Sequence, residues 1–436
     1  MRFPRYVSEL SDGFGNEEWN GVRTAKVWRR LLGGEQTVLE KVEFDEDEAA
    51  VVAHVRPRKG GRGRCGRCGR RCPGYDRGSG RRRWRALDLG TIKVFLEAAA
   101  PRVACPEHGP TVIQVPWARH GAWHTAAFED TAAWLVTHTS KTAVGELLRI
   151  AWRTVGGIVT RVVADARAAH DPFDGLRRIG IDEISFKKGH RYLMVVVDHD
   201  SGRLVWAAAG HDKKTLAGFF DAVGAERCRQ VRLVSADAAE WIGELVRERC
   251  PNAALCLDPF HIVAWATDAL DRVRREVWNT ARRAGASGHA KQLKGARYAL
   301  WKNPHRLTDK QQAKLAWIAT LNGRLYRAYL LKEQLRQVFA VRGDDGLALL
   351  DRWLAWACRC RTPAFVELAR RIRKNRGGIE AALTHGLSNA LVESTNTKLR
   401  VLTRMAYGFN DPEALIALAL LDRGGYCPSL PGRVAA

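Results

Sequence analysis

Acidic residues are scarce: 47 Asp and Glu stand against 71 Lys and Arg, giving a formal net charge of +24. No apolar run approaches the roughly 18–20 residues needed to span a bilayer, so no membrane partner is expected. The opening Met1-Arg-Phe-Pro-Arg-Tyr6 lacks the apolar segment of a signal peptide. Cysteine is sparse, 10 in 436 residues, which excludes a disulfide scaffold and fits a reducing cytosolic compartment. What is present is a hydrophobic fraction of 46%, too high for a disordered polycation. The length suggests two to four domains, and the positive excess makes nucleic acid the first candidate partner.

Composition divides the chain. Residues 1–55 open polar, with a short helical stretch from Ala25 to Leu32 and an acidic run from Glu43 to Glu48. Residues 56–124 form a second zone, whose part 56–93 holds 14 Lys and Arg against Asp76 and Asp88. Residues 125–170 read as helices, 176–258 as alternating strands and helices, and 259–388 as almost entirely helical. A last helical stretch, 389–424, precedes a Pro/Gly tail, 425–436. There is no internal repeat, and low complexity is confined to the Gly/Arg run 58–71.

The basic zone carries a zinc pattern. Cys65-Gly-Arg-Cys68 is followed by Cys105-Pro-Glu-His108, two short-spaced pairs of the kind that a tetrahedral Zn²⁺ takes from two tight turns. The segment between them, Arg81-Arg82-Arg83-Trp84-Arg85 through Glu97, alternates like a β-ribbon. So little apolar material favours a structural metal clip over a metal-free fold. Free thiols and a surface histidine are the plain alternative, and Cys72 is a rival ligand with poorer spacing.

Residues 128–167 fit a helix-turn-helix, with helices over Phe128–His138, Lys141–Leu148 and Trp152–Ala166. In the third, Val155, Ile158, Val159, Val162 and Val163 recur at helical spacing and pack inward. Arg153, Thr154, Gly157, Thr160 and Arg161 are left outward as a groove-facing set. A plain helical hairpin makes a similar pattern.

The middle of the chain places acids at strand ends. Arg178-Ile-Gly-Ile-Asp182 and Gln230 through Asp237 each read as a strand ending in a carboxylate; Tyr192–Asp198, Arg203–Ala209 and Ala253–Asp258 are further strands. The order βββαβαβ is that of a ribonuclease H-like core, a mixed five-stranded sheet whose first, fourth and fifth strands run parallel. Asp182 and Asp237 then share one sheet edge and Asp198 lies at the other. Glu183, next in line, is expected on the opposite face from Asp182. Phosphodiester chemistry on two Mg²⁺ or Mn²⁺ ions wants a third hard ligand. Glu393 is the best candidate, within a polar stripe Asn389, Glu393, Asn396 and Arg400 on one helix. Such a stripe is most often a solvated face. Asp258 and His261 either join the site, or Asp258 caps a helix and His261 is a core side chain.

These stretches together resemble the DDE transposases of bacterial insertion sequences, specifically the IS-L-three family. The resemblance runs from about Ala25 to Arg433 and rests on the two zinc pairs, Ser140-Lys-Thr-Ala-Val144, Trp152-Arg-Thr-Val155 and Ile181-Asp-Glu183. Ser235-Ala-Asp237, Asp258-Pro-Phe-His261 and Leu387-Ser-Asn-Ala390 through Ala406-Tyr-Gly-Phe409 complete it. It implies a multidomain α+β chain: a zinc-binding β-ribbon module, a helix-turn-helix, and a ribonuclease H-like core with a large all-α insertion. It implies Asp182, Asp237 and Glu393 as the acids holding two catalytic Mg²⁺ or Mn²⁺ ions; Asp258, His261, Asn389 and Asn396 are second-tier candidates for the same site. The implied partner is double-stranded DNA, both terminal inverted repeats and target, bound by at least a dimer in the bacterial nucleoid. Arg81, Arg82, Arg83, Arg85, Lys141, Trp152, Arg153, Thr154, Arg161, Lys398, Arg400 and Arg404 are expected against that DNA. The competing classes are a ribonuclease H-like nuclease or resolvase, and a domesticated DNA-binding regulator. Tryptophans of the insertion, such as Trp265 and Trp353, either stack on bases or fill a helical core.

Overall fold

The computed structural model describes residues 36–341 and 343–433, together with Trp28. The expected helix over Ala25–Leu32 lies otherwise outside the described residues. The chain divides into two compact units, one reaching to Asp165 and including the stretch from Cys427, the other running from Ala166 to Tyr426.

The first unit is built on two sheets. Strands β1 (Thr37–Asp45), β2 (Ala50–Pro57), β4 (Arg81–Leu89) and β5 (Ile92–Ala99) form a four-stranded sheet in the order β1-β2-β5-β4. Strands β3 (Gly74–Asp76), β6 (Arg102–Cys105) and β7 (Gly109–Val112) form the second, three-stranded sheet. The expected ribbon is therefore half of a larger sheet, and residues 37–57 belong with it rather than to a separate segment. Ala53 and Val55 alternate inward on β2 and bury against Leu96, Ala98 and Trp84. Trp84 meets Trp117 edge-on, with ring centroids 5.5 Å apart. This apolar core was not apparent from the Arg-rich strand alone.

Three helices follow: α1 (Ala126–His138), α2 (Lys141–Leu148) and α3 (Trp152–Ala169). Thr125 and Ser140 cap α1 and α2 by accepting from the backbone amides of Phe128 and Ala143. Arg149 ends α2 in the left-handed region, at φ 54°. The five apolar residues of α3 named above are all buried. Glu129 is fully buried on α1 and is gripped by Arg161, at 2.8 Å, and Arg119, at 3.5 Å.

The second unit centres on a five-stranded sheet, β8 (Arg178–Lys187), β9 (Arg191–Asp198), β10 (Leu204–Ala209), β11 (Leu233–Ala236) and β12 (Ala254–Leu257), ordered β10-β9-β8-β11-β12. β8, β11 and β12 are mutually parallel, and β9 is antiparallel to both its neighbours. Leu193 to Val197 are buried without alternation, as a strand covered on both faces requires. β8 does not end at Asp182 as its sequence suggested: it continues to Lys187, because β9 pairs with it to the hairpin turn. α4 (Lys213–Val223), α5 (Ala225–Cys228) and α6 (Glu240–Arg249) connect the strands.

After β12 come α7 (Pro259–Arg283), α8 (Ser287–Lys294), α9 (Arg297–Trp301), α10 (Asp309–Leu321), α11 (Gly323–Ala340), α12 (Gly343–Arg359), α13 (Pro363–Lys374) and α14 (Arg376–His385). They share one apolar core in which Trp353 is fully buried, while Trp265, Trp278, Trp301, Trp317 and Trp356 pack partly buried around it. The tryptophans of this region thus serve its packing. α15 (Ala390–Met405) then lies on β8, and α16 (Pro412–Arg423) against β10.

Candidate functional site

Sheet register gathers the acids. Ser235 pairs with Gly180 and Ala236 with Leu257, so Asp237 leaves β11 level with Asp182 on β8 and with Asp258 after β12. All three stand level where β11 and β12 end, while β8 runs on past Asp182 to Lys187. Asp198, paired with Ile179, sits at the opposite edge, where its carboxylate accepts from the amides of Asp200 and Ser201.

α15 closes this edge. Gly180 makes that possible: a Cβ there would stand 2.4 Å from a Val392 methyl and 2.7 Å from the His199 ring. An isolated glycine inside a strand signals such a close approach, and this one had not been singled out. Asn389, just before the helix, donates its side-chain amide to the Ile181 carbonyl (3.3 Å) and its backbone amide to Asp258 (3.3 Å). Asn396 donates to Asp182 Oδ2 at 2.9 Å. Both asparagines are about as buried as core residues, 1% and 2% exposed, so the stripe is no solvated face there. Glu393 lies between them on the exposed side of the first turn.

The electrostatics are those of a site short of positive charge. Burial pushes the Asp182 carboxyl up to about 6, with nearby Asp237 and Asp258 raising it further. Burial also raises Asp258, and it raises Glu393, whose charged neighbours are Asp258, His261 and Arg400. His261 is partly exposed, with Nε2 4.0 Å from Asp258 Oδ2, so it is no satisfied core side chain. Asp258 occupies the N-cap position of α7 without a side-chain cap hydrogen bond. Among the described residues, three buried acceptors here find no donor: Asp258 Oδ2, Asn389 Oδ1 and Asn396 Oδ1. Orphaned acceptors beside desolvated carboxyls fit a cation of hard character.

Glu183 shares the β8 face of Ile181, while Asp182 meets Asn396 of α15 on the other. Its amide donates to Asp182 Oδ1 (2.8 Å), and its carboxyl, raised by burial and then by Asp237, borders the same cavity as Asp182. That cavity, about 160 Å³, is also lined by His211 and Trp241. Neither residue belongs to a spacing pattern, which is why sequence reasoning passed over them.

In the first unit, one ligand atom each from Cys65, Cys68, Cys105 and His108 lie within 4.8 Å of one another. The Cys68–Cys105 sulfur separation is 3.7 Å, and His108 Nδ1 is 3.8 Å from Cys65 Sγ and 3.6 Å from Cys105 Sγ. Zn–S bonds of about 2.3 Å and Zn–N of about 2.0 Å in a tetrahedron demand edges of roughly 3.5–3.8 Å, so the residues fit zinc. Cys72 is outside this group, buried with its thiol directed at the Arg70 carbonyl.

Several residues expected against DNA are committed elsewhere. Arg85 is buried and paired with Asp88; Arg83 binds Asp45 and Glu97; Arg81 binds Glu97. Arg82 stacks 3.9 Å over the exposed Trp123 ring. Arg161 serves the buried Glu129, and Lys398 lies 3.6 Å from Asp422. Trp152 and Arg153 are exposed at the start of α3 and Thr154 half-buried, Lys141 is half-buried, and Arg400 and Arg404 are exposed on α15. The Arg-rich run does not show these partners, because Glu97, Asp45 and Glu48 are brought to β4 by the folding of other segments.

Comparison with known proteins decides the family. Residues 179–419 match a family model described as transposase, of the ISL3 type. The chain belongs to the ISL3 transposase family. Residues 113–163 match the helix-turn-helix domain of that family, and residues 61–108 the zinc-finger of transposases IS204/IS1001/IS1096/IS1165. The transposase is 61% identical to the "Transposase for insertion sequence element IS1557" of Mycobacterium tuberculosis, over 94% of this chain and 98% of that one. It is 26% identical to the "Transposase for insertion sequence element IS1001" of Bordetella parapertussis, over 89% and 95% respectively. The zinc-finger match and the Cys₃His geometry together support a structural zinc in this transposase. Among its described residues, no helix is long and apolar enough to cross a membrane.

Proposed function

We propose that the chain binds the terminal inverted repeats of an insertion sequence and catalyses DNA strand cleavage and strand transfer, with Asp182, Asp237 and Glu393 as the metal-holding acids of a ribonuclease H-like core. The sheet order and the helix laid on β8 support that core. The single observation that carries the catalytic reading is the desolvated carboxyl cluster with its three donorless acceptors at one sheet edge. Mg²⁺ or Mn²⁺ bound by the three acids would polarise the scissile phosphodiester and activate the attacking oxygen.

The chain's own residues prepare that chemistry. Asn396 and the Glu183 amide fix the two oxygens of Asp182, and Asn389 ties Asp258 to the start of α15. His261, beside Asp258, Asp182 and Glu393, is placed to hold a proton or a phosphate oxygen. DNA is engaged through the exposed start of α3, with Trp152, Arg153 and Thr154, and through Arg400 and Arg404 near the acids; joining two ends calls for at least a dimer. Purified protein with Mg²⁺ and a duplex carrying the inverted repeat beside its own gene should be nicked at the element's end. Asp182→Asn, Asp237→Asn and Glu393→Gln should each lower the rate at least about a thousandfold. Equal cleavage by all four proteins would defeat the assignment.

A further inference from the structure

Tyr407 is fully exposed, unlike any other large hydrophobic residue described, and its backbone is in the left-handed region at φ 54°. A bulky side chain in that region is a strained exception that its surroundings must enforce. They do so here on both sides. The Tyr407 amide donates to Arg404 O and the Gly408 amide to Thr403 O, winding up the end of α15. Gly408 then turns the chain at φ 98°, and Phe409 is buried beyond it. Lys187, at the tip of the β8–β9 hairpin, holds Asn410 at 2.8 Å. The fold thus holds an aromatic ring out into solvent, supported by the overlong end of the strand that carries Asp182.

The surroundings are cationic. Arg400 and Arg404 are exposed on α15, and Lys187, Lys188 and Arg191 at the hairpin. The nearby carboxylate of Asp411 is turned to the Glu413 amide as a helix cap. A ring presented to solvent among cations suits a nucleobase whose phosphates the cations hold. From Asn396, which touches Asp182, eleven residues of mostly helical rise place Tyr407 about 16 Å away. At 3.4 Å per nucleotide, that is four or five nucleotides from the reacting phosphate.

We infer that Tyr407 stacks on a DNA base unpaired from its partner four or five nucleotides from the scissile phosphate, and so sets the register of the end in the site. This rests on the proposed DNA cleavage activity, and the test keeps the two apart. In the Glu393→Gln background, which should leave the DNA intact, 2-aminopurine is moved singly through the first ten positions on each side of the cut. Fluorescence should rise on binding at one position in that interval, and Tyr407→Ala should abolish the rise. Tyr407→Ala alone should slow cleavage of the fully paired end about tenfold, the size of one base–aromatic stack. Tyr407→Phe should cleave within about twofold of wild type, and a mismatch at the reported position should restore Tyr407→Ala to that range. No fluorescent position, equal cleavage by Tyr407→Ala, or failure of the mismatch to rescue would overturn the inference. A change in oligomeric state with unchanged DNA signals would assign the ring to a second copy instead. If Glu393→Gln still cleaves, the catalytic assignment falls, while the fluorescence still decides the role of Tyr407.

Discussion

Asp182→Asn should stabilise the metal-free protein while removing its response to metal. The carboxyl of Asp182 titrates near 3.8 when unfolded and at about 6 when folded. The folded state therefore keeps a proton that the unfolded state has lost, and stability falls as pH rises from about 4 to about 6. Two pH units correspond to roughly 3 kcal/mol, present in full as a penalty above pH 6. Asparagine escapes that penalty but offers a single acceptor oxygen. It can serve Asn396 or the Glu183 amide and not both, a loss of about 1 kcal/mol. The net gain in EDTA at pH 8 is about 2 kcal/mol, or roughly 4–8 °C in the melting of the 166–426 unit. At pH 4, where the folded carboxyl is already neutral, the variant should be slightly the less stable of the two. Calorimetry across pH 4–8, with EDTA or 10 mM Mg²⁺, reads both effects. Wild type should gain stability from Mg²⁺ at pH 8 and little at pH 5; the variant should gain almost none. A variant less stable than wild type in EDTA at pH 8, or a gap that does not change with pH, would refute the electrostatic account of the site.

Removing zinc by chelation, or Cys65→Ser at a fully buried ligand, should abolish one bound zinc per chain in atomic absorption and lower the melting of the first unit. The loss should fall short of the roughly 10–16 kcal/mol of folds that depend on zinc alone, because Trp84, Leu96 and Val55 supply a core. Arg161→Ala strands the buried Glu129 with only the longer Arg119 contact and should cost about 3–5 kcal/mol at pH 8 by chemical denaturation. That cost should shrink toward pH 5, since burial raises the Glu129 carboxyl and a protonated one needs no partner. Gly180→Ala puts a methyl into Val392 and should destabilise the second unit by about 1–3 kcal/mol and abolish cleavage. Unchanged activity there would mean that α15 need not lie on β8.

The site was legible where chemistry imposes spacing. The zinc pairs are short-range patterns, because each pair sits on one turn, and all four ligands meet. Asp237 and Asp258 could be placed from strand order alone, since the parallel strands β11 and β12 end at a common edge; that β8 runs on past Asp182 to Lys187 could not. The asparagines of α15 were visible as a stripe, but whether that stripe met water or the sheet was not. Periodicity reports that a face is distinct without saying what covers it.

The amino-acid sequence by itself determined the element order from 125 to 258, the metal-ligand pairs and the family, because each is written in neighbouring residues or in strand succession. Tertiary structure decided which charges are free. Arg83 and Arg161 look like their neighbours on paper, yet each is spent on a carboxylate brought in from elsewhere in the chain. It likewise decided that Asp182 is desolvated and that Tyr407 is not, since burial depends on which distant segment comes to lie on top.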